Sequence, residues 1–243
     1  MAKVIKKEQL RERLLDDNTP FAIKESFNAL RTNLLYSTSE KSRCPVYAIT
    51  SAGESVGKST TIANLSISFA QIPKKVLLID ADMRCPIQNQ IFNFPGDSVG
   101  LSELLSGIVS DHHEAIIHSE YSNLDILPSG HIPPNPSELI MSSAFDALLD
   151  KCRDEYDVIF IDCPPVGIVA DAIALRNIVT GYILLVRSNV SDTRKVNKMI
   201  ERMEHAGAKI LGVVLNAVSS KGGNSSYYYK SHYSNYEKAS KKK

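Results

Sequence analysis

Short apolar runs, several of them continuously so, punctuate the chain at 46–50 (VYAIT), 76–80 (VLLID), 124–128 (LDILP), 158–162 (VIFID), 182–186 (YILLV) and 210–216 (ILGVVLN). Runs of this length, apolar at successive positions, predict strands buried on both faces, as in a parallel sheet. Helical periodicity fills the gaps, most clearly at 59–71, 137–150 and 192–206. An earlier helix is signalled by Asn18-Thr19-Pro20, with Thr19 as N-cap and Pro20 in the first turn. Ile23, Phe27, Leu30 and Leu34 then recur at spacings of four, three and four, which is one face of a helix. Strands alternating with helices imply a mostly parallel α/β sheet flanked by crossover helices. Ligands of such sheets bind beyond the carboxyl ends of the strands.

The two ends of the chain break the pattern. Residues 1–20 form a polar, charged segment, 21–218 the folded body, and 219–243 a tail of glycine, serine, lysine and tyrosine without aliphatic residues. Such a tail cannot build a core and reads as flexible. At 243 residues the chain suits one sizeable α/β domain. A net charge of +1 provides no general field for recruiting nucleic acid. No apolar run approaches the roughly 20 residues of a membrane span, and the amino terminus lacks the apolar core of a signal peptide. The four cysteines, Cys44, Cys85, Cys152 and Cys163, form no C-x-x-C pair, which suits ordinary thiols in a reducing cytoplasm.

The strongest local signal is Ala52-Gly53-Glu54-Ser55-Val56-Gly57-Lys58-Ser59, a phosphate-binding loop with alanine in place of the usual first glycine. A strand precedes it and a helix opening Ser59-Thr60-Thr61 follows. Backbone N–H groups from Gly53 to Thr60 and the helix terminus would wrap the phosphates of a nucleotide. Lys58 would reach the terminal phosphates, and the Ser59 hydroxyl would ligate Mg2+. The fold expected is therefore of the P-loop NTPase kind.

Two acidic strand ends complete the set. Asp80 and Asp82, two residues apart on an extended segment, point to one side. Paired carboxylates there can hold magnesium and accept a proton from a nucleophile. Asp162, before Cys163-Pro164-Pro165, ends another apolar strand and would reach magnesium directly or through water. An aspartate at a strand end can also merely cap a turn; the phosphate loop favours the functional reading of the set.

The loop, the D-x-D-x-R ending at Arg84 and the D-x-P-P after Asp162 together resemble the bacterial tyrosine kinases of capsule and exopolysaccharide synthesis. The resemblance extends through Pro134-Asn135-Pro136-Ser137-Glu138-Leu139 and Leu211-Gly212-Val213-Val214-Leu215-Asn216 to the tyrosine-rich tail. It implies ATP and Mg2+ as cofactors, Asp80 as the group activating a tyrosine hydroxyl, Asp82 and Asp162 at the metal, and Lys58 on the transferring phosphoryl group. Asn216 is a candidate contact to the adenine; capping of the strand end explains it almost equally well. Tyr227, Tyr228, Tyr229, Tyr233 and Tyr236 become the phosphoacceptors. The resemblance also implies a membrane-spanning activator that recruits a cytoplasmic kinase to the inner face of the membrane, an opposing tyrosine phosphatase, and self-association into a homo-oligomer, for which a ring is the family's form.

Three positions depart from the family pattern. Ser55 replaces a usual glycine, and Val56 a small or acidic residue. In the E-x-x-R-x-x-R of the first helix, Asn28 replaces the first arginine, leaving Glu25 and Arg31 as candidate contacts between subunits. Two other readings share the fold: a division-site or partitioning ATPase, which would carry a second lysine where Gly53 stands, and a regulatory module that binds nucleotide with weak catalysis.

Overall fold

The computed structural model describes residues 10–38, 43–169 and 171–218. The tyrosine cluster at 227–236 lies outside them. Seven strands form one sheet: β1 (Val46–Ser51), β2 (Val76–Asp80), β3 (Ile117–His118), β4 (Leu124–Leu127), β5 (Val158–Asp162), β6 (Gly181–Arg187) and β7 (Ile210–Asn216). Their order is β3-β4-β2-β5-β1-β6-β7. All neighbours are parallel except β3, which runs antiparallel to β4. The six apolar runs are thus all strands of a P-loop NTPase fold. The two-residue β3 is too short to leave a periodic signal.

Alternate residues of each central strand enter different cores, which is why these strands are apolar throughout. Tyr47, Ile49, Leu78 and Phe160 face one side, where they meet Ile62, Leu65 and Phe69 of helix α2 (Lys58–Ala70). Helix α1 (Phe21–Ser37) lies outside α2 and adds Leu34. Val46, Ala48, Leu77, Ile79 and Ile161 face the other side. That core is closed by α4 (Leu101–Leu105), α5 (Pro136–Ile140), α6 (Ser143–Glu155) and α8 (Thr193–His205), with the short α3 (Gln88–Ile91) and α7 (Asp171–Ala174) at the carboxyl edge of the sheet. No helix among the described residues is long and apolar enough to cross a membrane.

Three local expectations are corrected. Thr19 does not cap α1. Its hydroxyl donates to Asp16 Oδ1 at 2.7 Å and accepts from the Asp16 N–H at 3.0 Å, so Pro20 takes the N-cap position. The expected helix 137–150 is two helices, because Ser142 turns extended and its hydroxyl donates to Leu139 O at 2.7 Å, satisfying a carbonyl at the end of α5. Ile23, first of the predicted apolar face of α1, is exposed. The segment before Pro20 is also tied to the body: Leu10, Leu14 and Leu15 are buried, and Asn64 Oδ1 accepts from the Leu15 N–H at 2.7 Å.

Candidate nucleotide and phosphoryl-transfer site

The loop between β1 and α2 is held in shape from several sides. Ser51 Oγ donates to Gly53 O at 2.7 Å. Ala52 packs so closely on Gly167 that a Cβ at Gly167 would meet the Ala52 carbonyl oxygen at 2.0 Å. Thr50 Oγ1 donates to Pro164 O at 2.8 Å and accepts from Val166 N–H at 3.1 Å, tying the D-x-P-P segment to β1. Ser55 adopts φ of +58° and Gly57 φ of +97°. These left-handed residues turn the chain around the cradle. Glycine would adopt either without strain; at Ser55 a Cβ makes the same turn cost about 1–2 kcal/mol.

Within the loop the expected residues divide by role. Glu54 and Ser55 are exposed, Gly53, Gly57, Ser59 and Thr60 half-buried, and Lys58 buried at the start of α2. Val56 points inward and belongs to the core beside Tyr47 and Ile49, so only its backbone borders the cradle. Asn216 Nδ2 donates to Val56 O at 2.9 Å, and Asn216 Oδ1 accepts from Ala217 N–H at 2.7 Å. Both ends of this carboxamide thus bind backbone, fastening the end of β7 to the phosphate loop. Arg187, at the end of β6, donates from Nη1 to Ser55 O at 3.0 Å. Its role was not read from the sequence, although its place at a strand's carboxyl end is where such a residue would be sought.

The acidic set converges next to Lys58. Asp80 and Asp162 are paired in register on β2 and β5. Asp80 accepts from Asp82 N–H and Gln88 N–H, each at 3.2 Å. Gln88 Nε2 donates to Asp162 Oδ2 at 2.8 Å. Asp82 Oδ2 lies 4.0 Å from Lys58 Nζ, with both side chains about nine-tenths buried (9% exposed each). Burial pushes the Asp80 carboxyl well above the usual carboxylate range, and the Asp162 charge adds to the rise. Burial also raises Asp82, opposed by Lys58. Asp162 is raised by burial against Lys58 and the Ser59 hydroxyl.

This set fits a divalent cation. Three buried carboxylates cluster here, two of them, Asp82 and Asp162, under the influence of the Lys58 ammonium, and Asp162 Oδ1 is buried without a hydrogen-bond partner among the described residues. A buried carboxylate oxygen left unpaired is costly, and a hard cation is the partner its chemistry suits.

Arg84 braces the same edge. Its Nε bonds Asp171 Oδ2 at 3.0 Å and its Nη2 donates to Ser137 Oγ at 2.9 Å, while Ser137 Oγ donates to Asp171 Oδ1 at 2.6 Å. The D-x-D-x-R and the Pro134–Leu139 motifs thereby meet at Asp171, the first residue of α7. Glu25 and Arg31 lie apart from this site on α1. Arg31 Nη1 donates to the carbonyl and hydroxyl of Ser68, and Glu25 Oε1 accepts from Asn28 Nδ2 at 2.9 Å. Arg31 is therefore turned onto its own chain.

Residues 46–210 match the AAA domain family. The chain is 40% identical to the tyrosine-protein kinase CpsD of Streptococcus agalactiae over 80% of this chain and 82% of that protein. It is 36% identical to the putative tyrosine-protein kinase CapB of Staphylococcus aureus over 94% of this chain and 98% of that protein. Among solved structures, the chimerical protein CapA2B2 matches with a TM-score of 0.79 and 40% identity, over 85% of this chain and 90% of the other. The kinase domain of the Escherichia coli tyrosine kinase ETK matches with a TM-score of 0.80 and 33% identity, over 86% and 80%. The Pyrococcus furiosus cell division ATPase MinD is more distant, with a TM-score of 0.59 and 25% identity over 70% and 71%.

Proposed function

The chain belongs to the bacterial tyrosine-protein kinases, and from that premise we propose that it phosphorylates its own carboxyl-terminal tyrosines, using ATP and Mg2+, to regulate capsular or exopolysaccharide synthesis and export. The observation that carries the reading is the meeting of Asp80, Asp82 and Asp162 beside Lys58, at the carboxyl ends of β2 and β5. ATP supplies the phosphoryl group when bound, and magnesium neutralises charge on its phosphates. Ser59, Asp82 and Asp162 would hold the metal. The loop N–H groups from Gly53 to Thr60 would bind the phosphates, and Lys58 would hold positive charge where negative charge gathers on the transferring group.

A tyrosine hydroxyl, with a pKa of about 10, needs a proton acceptor to become a nucleophile. Asp80 is the candidate, since a carboxylate whose pKa is raised is a better base. A pocket of about 80 Å³ opens on Asp80, walled by Pro86, Phe94, Pro95 and Pro128. Gln90, Ser98 and Ser129 also line it, so its wall mixes polar groups with the proline and phenylalanine rings, and in this reading an incoming tyrosine ring enters it toward Asp80. Asn89 also lines it, and Asn89 Oδ1 is buried without a partner among the described residues.

The partners of this reading are a membrane-spanning activator, an opposing tyrosine phosphatase and further copies of the chain. Exposed Ile23, Leu35 and Tyr36 on α1 support self-association. Asn216 in this reading acts on the nucleotide through the loop it fastens. The decisive experiment incubates purified protein with labelled ATP, with and without the cytoplasmic fragment of the activator. Phosphotyrosine on 227–236, increased by the activator, is expected. Release of free phosphate without phosphotyrosine would instead indicate an ATPase switch.

A further inference from the structure

A second cluster of ligand-type side chains lies at the opposite edge of the sheet, where α6 ends before β5 begins. His112–Glu114 form a 3₁₀ turn whose amino end Asp111 caps, its Oδ1 accepting from His113 N–H at 3.0 Å. The two imidazole rings stack with centroids 4.1 Å apart. Their Nε2 atoms both approach Glu155 Oε1, at 2.9 Å from His112 and 3.5 Å from His113. His112 Nδ1 lies 3.8 Å from Asp111 Oδ1. One ligand atom from each of Asp111, His112 and His113 lies within 4.8 Å of the other two.

Neither carboxylate has a lysine or arginine ion partner among the described residues; their only close cationic candidates are these histidines. A divalent metal ion is a partner that both an imidazole nitrogen and a carboxylate oxygen can share, and it binds imidazole in the neutral form.

We propose that Asp111, His112 and His113, oriented by Glu155, bind a borderline divalent transition-metal ion, zinc being the natural probe. Imidazole with carboxylate is a donor set for zinc, cobalt or nickel rather than magnesium. Glu155 accepts from His112 Nε2, fixing the ring so that Nδ1 faces Asp111. This is the outer carboxylate that metal-binding histidines usually carry. Tetrahedral zinc with bonds of about 2.0–2.2 Å requires its ligand atoms to close to about 3.4 Å. His113 and Asp111 are exposed and can make that small movement by side-chain rotation. A water completes the fourth position. The ion would pin the 3₁₀ turn to the end of α6, far from the phosphate loop, so its role is structural.

The test uses the whole chain, stripped with chelator and saturated with Mg-ADP so that the aspartates of the nucleotide site are engaged. Zinc titration by calorimetry should give one equivalent bound, and Tm should rise by about 5 °C at a hundredfold excess over Kd. His113→Ala, at an exposed position, should lower zinc affinity at least tenfold while leaving zinc-free Tm and phosphotyrosine formation unchanged. Asp111→Asn keeps the turn capped and should also weaken zinc binding. Cobalt in place of zinc should shift imidazole proton resonances in the NMR spectrum. Equal zinc affinity in His113→Ala, no zinc bound by the Mg-ADP-saturated chain, or a cobalt–thiolate absorption band would each overturn the proposal.

Discussion

Asn216 Nδ2 donates to the carbonyl of Val56 at 2.9 Å, joining the last strand to the phosphate loop 160 residues earlier. Gly57 lies against this contact: a Cβ there would meet Asn216 Nδ2 at 2.5 Å. The carboxamide therefore holds the loop at its tightest point. Asn216→Ala removes a hydrogen bond of about 1 kcal/mol from a partner the nucleotide site depends on. ADP affinity should fall about fivefold in calorimetry, with the far-UV CD spectrum unchanged. Unaltered affinity would mean that the loop keeps its shape without β7.

The two departures in the loop have opposite consequences. Ser55 sits at φ of +58°, so Ser55→Gly relieves strain. A gain of about 1 kcal/mol should raise Tm by about 2–4 °C, and nucleotide affinity should not fall. Val56→Glu, although closer to the family pattern, would bury a carboxylate beside Tyr47 and Ile49. It should lower Tm by at least about 4 °C. A Tm for Val56→Glu equal to that of the unmodified protein would show that this side chain is free to turn outward.

Burial raises the Asp80 carboxyl, so in chelator-treated protein the native state holds its proton to higher pH than the unfolded chain does. That stability is fully present below the ordinary aspartate value of about 3.9 and lost as pH climbs through the raised native value. Metal-free protein should therefore melt at lower temperature at pH 7.5 than at pH 5.5, and Asp80→Asn should flatten that dependence. The same variant should raise the metal-free Tm at pH 7.5 by a few degrees while lowering phosphotyrosine formation at least about 10²-fold. A lower Tm for Asp80→Asn, with activity retained, would remove Asp80 from the site.

How legible these features were depended on whether they repeat along the chain. The central strands β1, β2, β5 and β6 announced themselves because both faces of the sheet are covered there, making each a nearly unbroken apolar run, while β4 and the partly exposed edge strand β7 were legible from their aliphatic residues. Their carboxyl ends then located Asp80, Asp82 and Asp162. Gln88 was invisible, because its bonds to Asp80 and Asp162 exist only once the α3 turn folds back over the strand ends. The inward turn of Val56 was equally hidden, since a loop has no period from which to read its faces. The bond of Arg31 to Ser68 was hidden for a related reason, since it joins α1 to α2 across 37 residues of sequence.

Thiol reactivity offers a check on the packing that does not involve the nucleotide. Burial pushes the Cys44 thiol up to about 11 and the Cys152 thiol up to about 12, and raises Cys163 well above its usual range. Cys85 is the exposed one. Because the thiolate is the reactive form, a thiol reagent at pH 8 should modify Cys85 alone in the native protein and all four after unfolding. Mass spectrometry of the labelled peptides reads this directly. Rapid native labelling of Cys152 would mean that α6 does not pack as described.

The position of β7 bears on which copy phosphorylates which. β7 is an edge strand, and β6, β1 and β5 separate it from β2, whose end carries Asp80. At about 4.8 Å per strand, the chain leaves Val218 about 20 Å to one side of the acceptor pocket. Tyr227 follows nine residues later, and nine extended residues span at most about 30 Å. Tyr227 of the same subunit could therefore reach the pocket only by crossing over the phosphate loop that its nucleotide covers. It would then have to turn back to attack in line, the geometry that phosphoryl transfer demands. A neighbour's tail meets neither constraint. Mixing a Lys58→Met chain with a chain whose five tail tyrosines are phenylalanine should place phosphotyrosine on the Lys58→Met chain, at a rate that falls with dilution. Each phosphate adds about −1.5 to −2 charges to a basic tail, and the product would be repelled by the aspartates it served. Particle size by light scattering should accordingly decrease as phosphate accumulates. An unlabelled mixture, with the unmodified protein labelling at a dilution-independent rate, would establish transfer within one chain.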